Sequence, residues 1–303
     1  MSKLERPDQA QVFDRAQLRR QRRRAQADFG RHDFLFQELA ERLLDRLSDV
    51  TRTFPLAVDL SPYPGRLRSI AGAALGGRIG TWLSAPSDPG FAVPSSPAGL
   101  ICDEEALPFR PGSLDLVLSC LGLHWVNDLP GAMIQVRHAL RPDGLFLGVM
   151  LGGETLAELR QCLMEAELAE TGGASPRVSP MVGLRDAAGL LQRAGFALPV
   201  ADCETITLTY RDPLALMRDL RGMGEGNALL GRHRGPTRRR VFARTAALYA
   251  ERHAMGDGRI TATIQAIFVT GWAPDASQQQ PAARGSGTVS LLQAVGKPAG
   301  DQR

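Results

Sequence analysis

Two near-continuous apolar runs, Leu114 to Leu121 (LDLVLSCL) and Gly144 to Leu151 (GLFLGVML), constrain this sequence more than any other feature. Strands that read this way are covered by helices on both faces, which is the situation of a parallel sheet. Between them, Asp128 to Leu140 has the spacing of an amphipathic helix and stops at Pro142, Asp143 and Gly144. Two buried strands joined by a helix make a right-handed β-α-β crossover. In open α/β sheets the ligand lies beyond the carboxyl ends of the strands, so the segment from Ser119 to Asp128 is the first place to look for a site.

The rest of the chain fits one doubly wound domain with helical additions. Residues 11 to 48 read as helical, with Phe34, Leu35, Leu39, Leu43, Leu44 and Leu47 on one face. Leu56–Leu60, Gly80–Ala85 and Gly99–Cys102 read as three further strands, and residues 86 to 98 as a Pro, Ser and Gly loop. Helices are expected over 153–170, 184–194, 213–223 and 237–254, and strands over 204–210 and 260–272. The segment GMGEGNALLGRHRGP, from Gly222, is expected to be a mobile surface loop because it is glycine-rich. Residues 1–50 then form an N-terminal helical extension, 51–272 the main domain with a helical insertion near 211–255, and 273–303 a largely unstructured tail.

No apolar run reaches the ~20 residues needed to span a bilayer, and the N-terminus lacks the apolar centre of a secretory signal. A cytoplasmic location is expected. Peripheral association with a membrane stays open. The cysteines, Cys102, Cys120, Cys162 and Cys203, have no CxxC spacing and read as core thiols. Of 36 basic residues only Lys3 and Lys297 are lysines. Arg19, Arg20, Arg22, Arg23 and Arg24 form one cluster, and Arg232, Arg234, Arg238, Arg239 and Arg240 another. Each reads either as a solvated helix face or as a surface for an acidic partner. Nothing in the pattern points to nucleic acid.

The chemistry-bearing residues stand at the strand ends. Asp59 ends the first strand, and the turn after it is Ser61, Pro62, Tyr63, Pro64, Gly65. A turn that cradles a nucleotide wants glycine and free N–H donors, whereas this one has a single glycine and two prolines. After the second strand only Asp88 could hold ribose hydroxyls, and it comes late. Asp103, Glu104 and Glu105 follow the third strand, where a carboxylate could accept from an exocyclic amine. His124, Trp125, Asn127 and Asp128 follow the fourth. His124 reads either as a packed residue or as a catalytic one, and Asp128 equally as an N-cap. The five histidines include no HxD or HExxH pair, so no metal site is expected.

At DEEALPF, LDLVLSCLGLHWVNDLP and LRPDGLF the sequence resembles the class I S-adenosylmethionine-dependent methyltransferases, with the three motifs in the family's order and spacing. At HWVNDLP, GGETLAELR, ASPRVSP, GLLQRAGF, GMGEGN and RGSGTVS it is more narrowly similar to the methyltransferase-like assembly factors of respiratory complex I and their bacterial relatives, over about residues 11 to 292. The resemblance implies a seven-stranded Rossmann-like sheet of order 3-2-1-4-5-7-6 and S-adenosylmethionine as cofactor. Asp59, Ser61, Gly65, Asp103, Glu104 and Ser119 would stand on the cofactor side. Leu121, His124, Trp125 and Asn127 would stand on the substrate side, with His124 the catalytic candidate. The family's loop has glycine where Ser61 and Tyr63 stand here, and its ribose acid has no evident counterpart. The implied partner is a protein, such as a complex I-type subunit. Three roles stay open: modification of that partner as an arginine hydroxylase-like enzyme, non-catalytic chaperoning of it, and O-methylation of an acyl-carrier-linked carboxylate.

Overall fold

The computed structural model describes residues 11–72, 75, 77–88, 100–279, 285, 286 and 290. Residues 1–10, most of the loop expected over 86–98, Gly99, most of RGSGTVS and most of the tail lie outside the described residues.

The two apolar runs form β3 (Leu114–Cys120) and β4 (Leu140–Leu151), joined by α4 (Leu129–Ala139). They pair in parallel, from Leu116 opposite Leu145 to Cys120 opposite Val149. The α4 helix starts where expected because the Asp128 carboxylate accepts from the Gly131 N–H at 2.9 Å, an N-cap, and Pro130 suits the first turn. Its buried face is Ala132, Met133, Val136 and Ala139. The β4 strand begins four residues earlier than the apolar run suggests. Asp143 takes a left-handed conformation (φ 60°), and the register shifts between Leu114 and Leu116, so the ladder absorbs the Arg-Pro-Asp-Gly turn as an irregularity.

Around this crossover lie β1 (Phe54–Asp59), β2 (Ile79–Ser84), β5 (Ala197–Tyr210) and β6 (Ile260–Trp272), in the order β2-β1-β3-β4-β6-β5. The first four strands in that order are parallel. The β6 strand runs antiparallel to both β4 and β5. This is the implied order without its third strand: among the described residues the sheet has six strands, not seven. Leu100–Cys102 are not a strand, and the Cys102 N–H meets only the Pro86 carbonyl at 3.0 Å. Pro86 has no N–H to return, so a ladder cannot propagate there.

Alternation along the strands feeds two cores. Leu116, Leu118 and Cys120 face α2 (Phe34–Ser48), α3 (Arg66–Ala71), α5 (Ala157–Thr171) and α8 (Arg239–His253). Val117, Phe146 and Met150 face α4 and α6 (Leu184–Arg193). Each fully buried Leu or Phe contributes about 1.5–3 kcal/mol, which fixes the registers and holds the strand ends rigidly.

The segment expected to be continuously helical over 11–48 is two helices. The first, α1 (Arg15–Ala25), is separated from α2 by a 3-10 turn, Phe29–Arg31, that points Phe29 inward onto Tyr63 and Phe36. The glycine-rich segment is at the surface only in its second half, where Leu230, Gly231 and His233 to Pro236 are exposed. Its first half, after α7 (Pro213–Gly222), packs inward, with Met223, Ala228 and Leu229 all buried. Gly224 makes this possible: its φ of 73° is open to glycine, and a Cβ there would lie 2.8 Å from the Tyr63 hydroxyl and 3.1 Å from the Arg22 Cα.

Candidate functional site

The parallel register brings the carboxyl ends of β1 and β3 side by side, and the turn after β1 is stitched to β3. The Ser61 N–H donates to Asp59 Oδ1 at 2.9 Å, and the Cys120 N–H donates to Ser61 Oγ at 2.9 Å. Asp59, Ser61 and Ser119 are all but inaccessible. Burial pushes the Asp59 carboxyl up to about 6, against the pull of Ser61 and of the Trp82 indole. Asp59 Oδ2, the Trp82 indole N–H and Ser119 Oγ nevertheless lack hydrogen-bond partners of proper geometry. Gly65, with φ 79°, opens α3 and donates its N–H to Ser84 Oγ at 3.2 Å.

Tyr63 occupies the middle of this turn. Its ring stacks on Phe29 at 3.6 Å, meets Phe36 edge-on, and its hydroxyl donates to the Met223 carbonyl. The acids around the same strand ends are gripped by α1. Arg15 donates to Glu104, to Asp103 at 2.9 Å and to the Trp125 carbonyl at 3.1 Å. Arg23 binds both oxygens of buried Asp88, and Arg19 stands 3.7 Å from Asp103. The first arginine cluster is therefore partly an internal counter-charge and not simply a solvated face.

Beyond β3 the backbone turns through Leu121, which is left-handed (φ 57°) without being glycine, a conformation that costs about 1–3 kcal/mol. Its carbonyl accepts from buried Arg22 at 3.4 Å. A 3-10 turn, Leu123–Trp125, then aims two side chains at Glu225. His124 Nε2 lies 2.9 Å from Glu225 Oε2, the Trp125 indole donates to the same oxygen at 2.6 Å, and Arg22 stands 3.6 Å from Oε1. Burial opposes the charge on Glu225. The His124, Arg22 and Trp125 groups outweigh it and hold the carboxyl below its usual range, so Glu225 is an anion.

Asn127 does not face an open site. Its Oδ1 accepts from the Val12 and Phe13 N–H groups at 2.8 Å, and its own N–H donates to Glu105, so it clamps the N-terminal segment over the sheet. The His124 ring is wholly buried and reaches outward only through Glu225. Arg22 and Glu225 were not expected from the sequence. Arg22 shares a helix face with Leu18 and Ala25, the spacing of an inward-facing position. Glu225 is the lone acid among the glycines of GMGEGN.

A groove of about 1030 Å³ opens beside this cluster, bounded by α1, α5 and α7 and by the segment around Arg234. Its inner end is Trp125 and Glu225. Its floor includes Leu151, Leu159, Leu163 and Met217. Asp59, Ser61, Gly65, Asp103 and Ser119 do not line it. The free thiols are no candidates for nucleophiles: burial raises Cys102 to about 12 and Cys120 well above its ordinary value. Among the described residues no three His, Cys, Asp or Glu side chains gather as metal ligands.

A family model described as a methyltransferase domain matches residues 92–148. The Danio rerio protein named arginine-hydroxylase NDUFAF5, mitochondrial, is 41% identical over 297 residues, covering 96% of this chain and 92% of the relative. The Homo sapiens protein of the same name is 39% identical over 292 residues, covering 94% and 84%. The chain belongs to the NDUFAF5 arginine-hydroxylase family. More distantly, a malonyl-[acyl-carrier protein] O-methyltransferase of Methylovorus is 32% identical over 286 residues, covering 90% of this chain and 93% of the relative. Among solved structures, a Bacillus halodurans protein assigned to the methyltransferases superposes with a TM-score of 0.51 at 12% identity, covering 77% of this chain and 99% of that one, which shows the shared Rossmann-like fold. Among the described residues no helix is long and apolar enough to cross a membrane.

A methyltransferase-domain family carries S-adenosylmethionine as its expected cofactor, and the seat can be compared with that need. Unpartnered oxygens on Asp59 and Ser119 are of the kind a ligand satisfies. Tyr63 fills the turn, however, and Asp88, Asp103 and Glu104 are all neutralised by arginines of α1. As arranged, the residues do not fit the cofactor.

Proposed function

We propose that this family member acts on a protein partner in the assembly of a complex I-type respiratory enzyme, in the manner named for its arginine-hydroxylase relatives, and that the groove beside Glu225 receives the partner's segment. The observation that carries this reading is the ionised Glu225 at the groove's inner end. A guanidinium entering from the partner would meet a carboxylate held rigid by His124, Trp125 and Arg22. A charge-assisted contact of that kind favours arginine for its planar, multiple donors. His124 acts here as a positioning residue: its Nε2 fixes the carboxylate.

The test is mass spectrometry of the partner subunit from cells with and without this chain. One arginine heavier by one oxygen atom, only when the chain is present, is the expected result, with the oxygen atom and the two-electron oxidation supplied by an external oxidant of the peroxide class that leaves as water or alcohol. An assembled complex whose subunit has the same mass either way refutes it. The filled cofactor seat favours one second reading, a holding protein without chemistry. Its signature is loss of the complex with no mass difference. Carboxyl methylation of an acyl-carrier substrate gains no support from a seat whose acids are already occupied.

A further inference from the structure

We propose that the groove binds a partner segment rich in acidic side chains interspersed with apolar ones, so that the residue reaching Glu225 is flanked by carboxylates. This deepens the function proposed for the groove and rests on it for the partner being a protein. The charge around the groove is one-sided. Arg24 of α1, Arg221 of α7 and Arg234 all line it, all are exposed, and among the described residues none of their guanidinium groups has an ion-pair or hydrogen-bond partner. Arg218 donates only to the Leu214 carbonyl. These four guanidinium groups come from three separate stretches of chain and converge on one cleft.

Of the acids that share the groove, Asp14 pairs with Arg232 at 3.0 Å and Asp28 stands 3.7 Å from Arg31, while Glu225 is more buried, its Oε2 held by His124 and Trp125 and its Oε1 3.6 Å from Arg22. Several arginines elsewhere are paired within the fold, Arg42 and Arg46 with Glu204 and Arg252 with Glu165, whereas these four meet no acid. Uncompensated charge at one cleft is therefore available to a ligand.

The form of the cleft decides between ligands. A volume of about 1030 Å³ reaches the upper end of the range for small-molecule pockets, about 300–1000 Å³, and suits a segment of chain. Its apolar floor is recessed: Leu151, Leu156, Leu159 and Leu163 are each 6% exposed or less, so they cannot insert into a flat lipid surface. A basic segment would meet four like charges. An acidic segment with leucine-type side chains satisfies the rim and the floor together, and it carries one cation inward to Glu225.

The probes are two fluorescein-labelled peptides of one pattern, leucines spaced about a central arginine, flanked by glutamates in one and by lysines in the other. Anisotropy with the full chain is expected to show binding of the glutamate peptide that weakens as salt rises, and none of the lysine peptide. Combining Arg24→Glu, Arg221→Glu and Arg234→Glu should weaken the glutamate peptide at least about tenfold, since each reversal costs on the order of 0.5–1 kcal/mol. Arg185→Glu, on another exposed surface, should leave it unchanged. Should the triple variant fold poorly, the single variant Arg221→Glu and the salt dependence of the unaltered protein test the same charge contacts.

Equal binding of the lysine peptide, an equal effect of Arg185→Glu, or displacement of the glutamate peptide by anionic phospholipid vesicles overturns the inference. Binding of the glutamate peptide together with an unmodified partner subunit would leave the acidic-segment inference standing and remove the arginine-directed reading. Full modification of the partner by the triple variant would do the reverse.

Discussion

Arg15 is the residue whose loss should be felt most, because it stands alone between a buried acid and an empty charge balance. Its guanidinium is 13% exposed and the Glu104 carboxylate beneath it 3% exposed. No second side chain or backbone donor is bonded to Glu104 among the described residues. Arg15→Ala therefore leaves a buried carboxylate without a counter-ion, which costs about 3–5 kcal/mol, and also strips one donor from the Trp125 carbonyl. At roughly 2 °C per kcal/mol for a chain of this size, the melting temperature should fall by about 6–10 °C. Urea unfolding followed by circular dichroism measures the same loss as free energy. The decisive measurement is the double variant. Glu104→Gln removes the stranded charge, so Arg15→Ala with Glu104→Gln should recover on the order of 2 kcal/mol or more relative to Arg15→Ala alone. A loss below about 1 kcal/mol, or no recovery in the double variant, would refute the claim that α1 supplies the counter-charge for the strand-end acids.

Three further outcomes follow from the same site. Asp59 titrates near 6 in the folded protein against 3.8 in the unfolded chain, so its ionisation opposes folding: the penalty is absent at low pH, grows through that interval and is complete above it, at about 3 kcal/mol. Asp59→Asn should thus gain stability relative to the unaltered protein between about pH 4 and about pH 7, and a stability difference that stays constant across that range would contradict the assignment. Isothermal titration with S-adenosylmethionine should give no heat at millimolar ligand, because Tyr63 and the α1 arginines fill the seat; saturable heat would show that they yield. Gly224→Ala places a Cβ against the Tyr63 hydroxyl and Arg22 backbone in a left-handed conformation, and should cost at least about 1 kcal/mol in chemical denaturation while quenching or shifting Trp125 fluorescence as Glu225 is displaced. An unchanged emission spectrum and melting curve would mean the loop is looser than its packing implies.

The β3-α4-β4 unit was legible because every determinant of it is local or periodic. Leu114–Leu121 is apolar on both faces, Asp128 caps α4, and parallel pairing follows from the crossover. The missing strand at Leu100–Cys102 shows the limit of that reading, since an apolar stretch needs a partner with donors and Pro86 provides none. The candidate site was half legible for a different reason. Asp59, Ser119 and His124 sit at strand ends that the apolar runs themselves locate, whereas what neutralises or fills those positions comes from far along the chain: Arg15 lies 89 residues from Glu104, and Glu225 lies 101 from His124. A run such as RRQRRRA reads as solvated because arginine counts as polar in any periodic pattern, yet Arg22 falls on the same helix face as Leu18 and Ala25, and burying it requires only that one acid wait on the other side. GMGEGN supplies that acid, and its glycines, which suggest mobility when read alone, are what let the backbone pass close enough to Tyr63 and Arg22 to deliver it. Arg15 and Arg23, which find acids within the fold, close the cofactor side of the sheet, while Arg24, Arg218, Arg221 and Arg234, which do not, gather where the groove is open. One arginine-rich composition thus does opposite work at the two sites.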